Sequence, residues 1–297
     1  MIKGAPCRNA RSGCAVLFAV AVTFIAVHEI RGQSGREDSS VNTNLTYSRG
    51  QSILPHYEGW VQNPDGSFDM SFGYLNQNWQ EELDIPIGPD NNIEPEPFGR
   101  DAGQPTHFLP RHNRWQFRVR VPKDFGSNEI VWTLTSHGHT HRAYGTLKAA
   151  YAIDQVGAIV ERRSGNQPPV IQIEGDTRRT VKAGQPITLT TVVTDDGIEV
   201  GTIGGVGGAR GGVSLRQAWF VYRGAGKVTF DPPQWKVWED PHGGSPSAAT
   251  WVNPPVPPEG RWVVRATFRD AGTFLLRCLA SDGSLFTAKD VTVTVTP

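Results

Sequence analysis

The chain has 297 residues with 29 basic and 29 acidic side chains, a formal net charge of zero. That balance leaves no electrostatic footprint for nucleic acid, which is excluded as a partner. Glycine (33) and proline (22) are plentiful and no long 3.6-residue periodicity runs beyond the N-terminus, so turn-rich all-β structure is expected.

Lys3, Arg8 and Arg11 precede an uninterrupted run of 14 apolar or small residues, Cys14 to Val27. A spanning helix needs about 20, so residues 1–32 read as a secretory signal, with an uncleaved membrane anchor as the alternative. The chain is then exported: periplasmic, cell-surface or extracellular. It touches membrane only through this segment if uncleaved. Residues 33–56 open with the polar, aperiodic Gln33-Ser34-Gly35-Arg36-Glu37-Asp38 and read as a flexible spacer.

Residues 57–163 carry strand patterns. Tyr57 to Val61 leads to Asn63-Pro64-Asp65-Gly66, where proline presets φ and glycine accepts positive φ, so a turn is predicted. Phe68, Met70, Phe72 and Tyr74 alternate after it and complete a hairpin. Residues 76–103 are acidic and proline-rich and read as a long surface excursion. Trp115, Phe117, Val119 and Val121 alternate with Arg114, Gln116, Arg118 and Arg120, which predicts a half-buried strand. Ile130, Trp132 and Leu134 form the inward set of the next. Together they predict a first β-sandwich.

Residues 166–297 predict a second. Trp262, Val264, Ala266 and Phe268 alternate, then Phe274, Leu276, Cys278 and Ala280, then Val291, Val293 and Val295. Asp270-Ala271-Gly272 and Ser281-Asp282-Gly283 punctuate them. Asn166-Gln167-Pro168-Pro169-Val170, Ile187 to Gly197, Trp219, Gly226 to Phe230 and Asp270 to Gly283 together resemble bacterial PKD-type, Ig-like β-sandwich domains. Residues 198–214 and 231–260 depart from the pattern as insertions. Phe274 replaces the usual tyrosine, so the resemblance implies a corner without its hydroxyl anchor. Residues 59–86 resemble exported bacterial proteins and bring no named activity with them. The fold class is therefore all-β: two β-sandwich, Ig-like domains, 57–163 and 166–297, after the signal or anchor.

Candidate chemistry is sparse. On a single strand His137, His139 and His141 would share a face, and three imidazoles suit zinc with an open water position. They share parity with Thr133 and Thr135, so an exposed polar face is the alternative. Asp195, Asp196, Asp282 and Asp290 could serve calcium, though turn chemistry accounts for Asp-Asp-Gly and Ser-Asp-Gly. The glycine-rich stretch 201–212 lacks the following helix of a phosphate cradle. Cys278 shares parity with core positions and reads as a small buried residue. Trp235, Trp238 and Trp251 lie in the 231–260 insertion, where exposed rings could stack on sugars or anchor a partner.

These residues predict an exported, non-enzymatic binding or adhesion-type module of the bacterial cell envelope without a cofactor, its partner an envelope protein or polysaccharide. Two alternatives stand: a zinc-dependent hydrolase built on His137, His139 and His141, and a structural spacer.

Overall fold

The structure is a computed structural model that describes residues 47–96, 98–153, 165–197, 215–234, 255–282 and 285–297. The signal segment, most of the spacer, the glycine-rich stretch and most of the 231–260 insertion lie outside them. Tyr47–Pro297 forms one compact unit.

The first half is built on β1 (Ile53–Gln62), β2 (Phe68–Asn76) and β6 (Arg111–Val121), an antiparallel sheet ordered β1-β2-β6. The Gly66 N–H donates to the Asn63 carbonyl at 2.9 Å with Gly66 at φ +85°, so the predicted turn closes the β1–β2 hairpin. The strand opens at Ile53, inside the stretch read as spacer, because Ile53 is fully buried. A second sheet, β4-β7-β8, is made by β4 (Asn91–Glu94), β7 (Ile130–Ser136) and β8 (His139–Gly145). Between the sheets Met70, Phe72, Phe117, Trp132 and Leu134 form the core, with Phe117 edge-on to Trp132 at 4.9 Å.

Two expectations are corrected here. Residues 76–103 are not only surface. They supply β3 (Leu83–Asp84), which pairs with β5 (His107–Phe108), and the edge strand β4, and they bury Ile85 and Ile93. Asn91 anchors the excursion by donating to the Ile85 and Pro105 carbonyls, while its own amide oxygen accepts the Trp132 indole N–H. Trp115 is not an inward residue of β6. The β2–β6 register jumps from Phe72↔Phe117 to Tyr74↔Asn113, which extrudes residues 114–116 as a bulge with Trp115 at φ +55°. A bulge resets side-chain parity, so Trp115 is half-buried and Gln116 is buried in its place.

The second half comprises β9 (Val170–Ile173), β10 (Arg178–Lys182), β11 (Pro186–Thr194), β12 (Arg216–Arg223), β13 (Val228–Asp231), β14 (Arg261–Phe268), β15 (Gly272–Ser281) and β16 (Phe286–Thr296). One sheet runs β13-β14-β11-β9, the other β10-β16-β15-β12. The chain crosses between sheets after β9, and β10 pairs parallel with the last strand. This is the strand arrangement of an Ig-like sandwich. Val264, Ala266, Phe268, Phe274, Leu276, Cys278, Ala280, Val291, Val293 and Val295 all face its core, as their alternation predicts. Trp262 packs against that core only partly, near the open end of β14.

β12 is buried on both faces. Trp219 and Val221 enter the sandwich core, whereas Ala218, Phe220 and Tyr222 join Leu279 in a separate cluster against Leu109 of the first half. Polar bonds surround that seam. The Tyr222 hydroxyl lies 2.7 Å from the Gly103 carbonyl and 3.1 Å from that of Gln116. Arg277 donates to the Gln116 carbonyl at 2.6 Å, clamps Asp290 through two bonds of 2.7 and 2.8 Å, and lays its guanidinium 3.4 Å from the Tyr222 ring centre. Arg223 adds a two-bond pair with Asp101 and a bond to the Gln104 carbonyl. The bulge that displaced Trp115 is what turns the Gln116 carbonyl toward this seam.

Candidate functional site

The three histidines do not converge. His137 (φ +49°) and Gly138 (φ +77°) form the tight turn between β7 and β8. Left-handed backbone at both central positions is what a two-residue hairpin requires. The turn resets parity, so His139 lies opposite Ser136 and His141 opposite Leu134. Directly opposed residues share a face, and that face is Leu134's, not the Thr133 and Thr135 face predicted for one continuous strand. His137 Nε2 sits 3.2 Å from Glu81 Oε2, His141 Nε2 lies 2.9 Å from the Ser52 hydroxyl, and His139 stacks on His141. Among the described residues, no three His, Cys, Asp or Glu side chains come together in a group able to hold a metal ion.

The aspartates behave as turn residues. Asp195 accepts the Gly197 N–H, Asp196 the Gln167 N–H, and Asp282 both the Leu285 N–H and the Asn166 amide. Burial, helped by the nearby Asp282 and Asp196 charges, holds the Asp195 carboxyl above its ordinary range. Asp290 is removed from any shared site by its two bonds to Arg277. Cys278 is fully buried. Burial pushes its thiol up to about 12, so it is no nucleophile at neutral pH. Trp235, Trp238 and Trp251 lie outside the described residues.

The residue with the most unusual surroundings is Glu58, which carries no motif. It is the extra residue of a β-bulge in β1, between Tyr57 and Gly59, and Gly59 takes φ +123°. The bulge swings its side chain over Gly73 of β2, where a Cβ would meet Glu58 Oε1 at 2.6 Å. The side chain is 7 % exposed. Oε2 accepts from Arg114 Nε at 3.1 Å, while Oε1 is buried with no hydrogen-bond partner and lies 3.9 Å from His112 Nε2. His56 stands edge-on to His112 at 5.8 Å. Burial raises the Glu58 pKa, partly offset by Arg114 and His56. A carboxyl that exchanges its proton close to two imidazoles on an open sheet face can act as an acid–base pair or receive a hydrogen-bond donor. Two glycines in paired strands, Gly59 opposite Ser71 and Gly73 opposite His56, are the sequence signal that could have located it, because strand glycines mark bulges and close approaches.

The sign of this site's contribution follows from the raised pKa. Below the ordinary value of 4.5 both folded and unfolded carboxyls are protonated, and the site's contribution is fully present. It is lost as pH rises from there through the folded pKa. Glu58→Gln should match the parent below pH 4 and exceed it at pH 7, since Arg114, half exposed, is not stranded. Urea midpoints across this range measure it, and an unchanged pH slope would refute the assignment.

No family model matches this sequence, and no curated protein matches it either. Solved structures with a similar arrangement include a chimeric titin Z1Z2 carrying a decorin peptide (10% identity, 83% of this chain, 99% of that chain, TM-score 0.24). Domains 4 and 5 of the S-layer protein SbsC match at 10% identity over 71% of this chain and 78% of that one, TM-score 0.24. The Yersinia pseudotuberculosis adhesin InvE matches at 8% identity over 84% of this chain and 60% of that one, TM-score 0.25. Likenesses this small carry no argument about what the chain binds. The sandwich assignment rests on its own strand order.

Proposed function

We propose that the chain is an exported, non-enzymatic binding module of the bacterial cell envelope, its second half a PKD-type variant of the Ig-like sandwich. The observation that supports this reading is the seam centred on Tyr222 and Arg277. A sheet face of Phe220, Tyr222 and Leu279 is consumed in locking the two halves together. Ordering the halves costs conformational freedom once, on folding, and leaves their loops at fixed separation for a large partner. The 231–260 insertion and the exposed residues of the 76–113 excursion, Asp90, Glu94 and Glu96 among them, are the segments proposed to meet an envelope protein or polysaccharide. His137 bonds Glu81, His141 bonds the Ser52 hydroxyl and His139 stacks on His141, an arrangement that lends the zinc hydrolase reading no support.

The test is co-sedimentation of the labelled chain with cell-wall polysaccharide and with envelope membranes. The parent should sediment with one of them. Trp235→Ala with Trp238→Ala should reduce binding at least tenfold with an unchanged melting temperature, a loss of about 1.4 kcal/mol. Parent protein that stays in the supernatant with both fractions would overturn the proposal.

A further inference from the structure

We propose that the cleft between the Gly126–Glu129 loop and the Thr146–Lys148 segment is a binding site for a single sugar ring. It rests on observations separate from the 231–260 insertion.

The cleft measures ≈ 280 Å³ and is lined by Ser127, Asn128, Glu129, Thr146, Leu147 and Lys148, with Gly126 at the loop's turn. That is just below the range for drug-sized ligands and suits one ring. Both walls are built before any ligand arrives. The Tyr57 hydroxyl donates to the Thr146 carbonyl at 2.7 Å, and the Trp60 indole donates to the Lys148 carbonyl at 3.0 Å. The facing loop is pinned by buried Phe125, whose carbonyl accepts both the backbone N–H and the side-chain amide of Asn128. Preformed walls spare a ligand the cost of ordering them.

The lining chemistry selects the ligand. Thr146 is 7 % exposed, and its hydroxyl is buried with no hydrogen-bond partner. An unmade bond there leaves a standing penalty that an incoming hydroxyl relieves once the Thr146 side chain turns toward the cleft. Glu129 offers an acceptor, Lys148 a donor and Leu147 an apolar surface, all within one cleft. Half-exposed Tyr151 stands beside this wall, its ring 5.3 Å from that of Tyr57. Adjacent donors and acceptors beside the apolar Leu147 surface are what a pyranose, with its ring of hydroxyls and its C–H face, presents surfaces to. A purely anionic ligand would meet Glu129, and a purely cationic one Lys148.

The experiment is saturation-transfer NMR on the chain from Gln33 onward with glucose, galactose, mannose and N-acetylglucosamine, each at millimolar concentration. Transfer to the ring protons of at least one sugar is expected. Thr146→Val, which keeps the side-chain volume, should weaken it about tenfold, and Glu129→Ala with Lys148→Ala, both on exposed residues, should abolish it. Trp235→Ala with Trp238→Ala should leave it unchanged. That last result separates this cleft from the insertion surface, so either site can fail alone. No transfer to any of the four sugars would overturn the proposal, as would transfer that survives Glu129→Ala with Lys148→Ala.

Discussion

Between pH 6.5 and pH 9 the protein is expected to lose about 3 kcal/mol of stability, most of it at one imidazole. His107, on β5, is 6 % exposed and held between two carboxylates, with Nδ1 2.7 Å from Asp84 and Nε2 3.3 Å from Glu82. Burial by itself would lower its pKa. The hydrogen bonds and charges of Asp84 and Glu82 outweigh that and carry it up from 6.5 to about 9. A raised pKa means the folded state keeps its proton while the unfolded chain releases it. The contribution is therefore complete below pH 6.5 and gone once pH has risen through about 9. His107→Gln should remove this fall and lower stability at pH 6 by a similar amount. Urea unfolding at intervals from pH 6 to pH 9.5 measures both. A parent curve that is flat across the window would sink the assignment. Asp84 also accepts the Gly226 N–H from the second half at 3.4 Å, so the same loss should loosen the seam.

Arg277→Leu is the second large effect. The guanidinium is 16 % exposed, faces the Tyr222 ring and bonds both Asp290 and the Gln116 carbonyl across the seam. Breaking a largely buried pair by removing one partner costs about 3–5 kcal/mol, because the surviving Asp290 charge loses its partner, and the Gln116 carbonyl keeps only the Tyr222 hydroxyl. Folding alone would not reveal where the loss falls. Calorimetry does. The parent should unfold in one transition, and Arg277→Leu in two, as the halves melt separately. Asp290→Asn keeps Arg277 and its bond to Gln116, so it should cost less and retain the single transition. If Arg277→Leu melts in one transition at the parent's temperature, the seam is not what couples the halves.

Much of the core was legible in the sequence. Val264, Ala266 and Phe268 alternate with Arg265 and Thr267, and Val291, Val293 and Val295 with Thr292 and Thr294; a strand's period of two puts each apolar set on one face. The same holds for Phe117 with Val119 and Val121, and for the turn at Asn63 to Gly66. Alternation failed where the chain changes parity. The His137–Gly138 turn and the bulges at Glu58 and at residues 114–116 each shift which side of the sheet a residue faces. A pattern read along one strand cannot reveal that unless the turn is recognised first.

What the sequence by itself determined is therefore the local part: all-β structure, the Ig-like alternation of residues 262–295, and the residues that fill each core. Those follow from side-chain chemistry and strand period, which act within a few residues. Tertiary structure alone decided the seam and the isolated polar groups. Ala218-Trp219-Phe220-Val221-Tyr222 is a continuous apolar run, which signals a strand buried on both faces without saying what covers the second. The cover is Leu109, more than 100 residues earlier, and the bonds to Gly103 and Gln116. Likewise Glu58, His112 and Arg114 are brought together by pairing between β1, β2 and β6. His107 acquires its charge state from Asp84 and Glu82, over 20 residues before it. Electrostatics and burial depend on distance in space, and only the folded chain sets that distance.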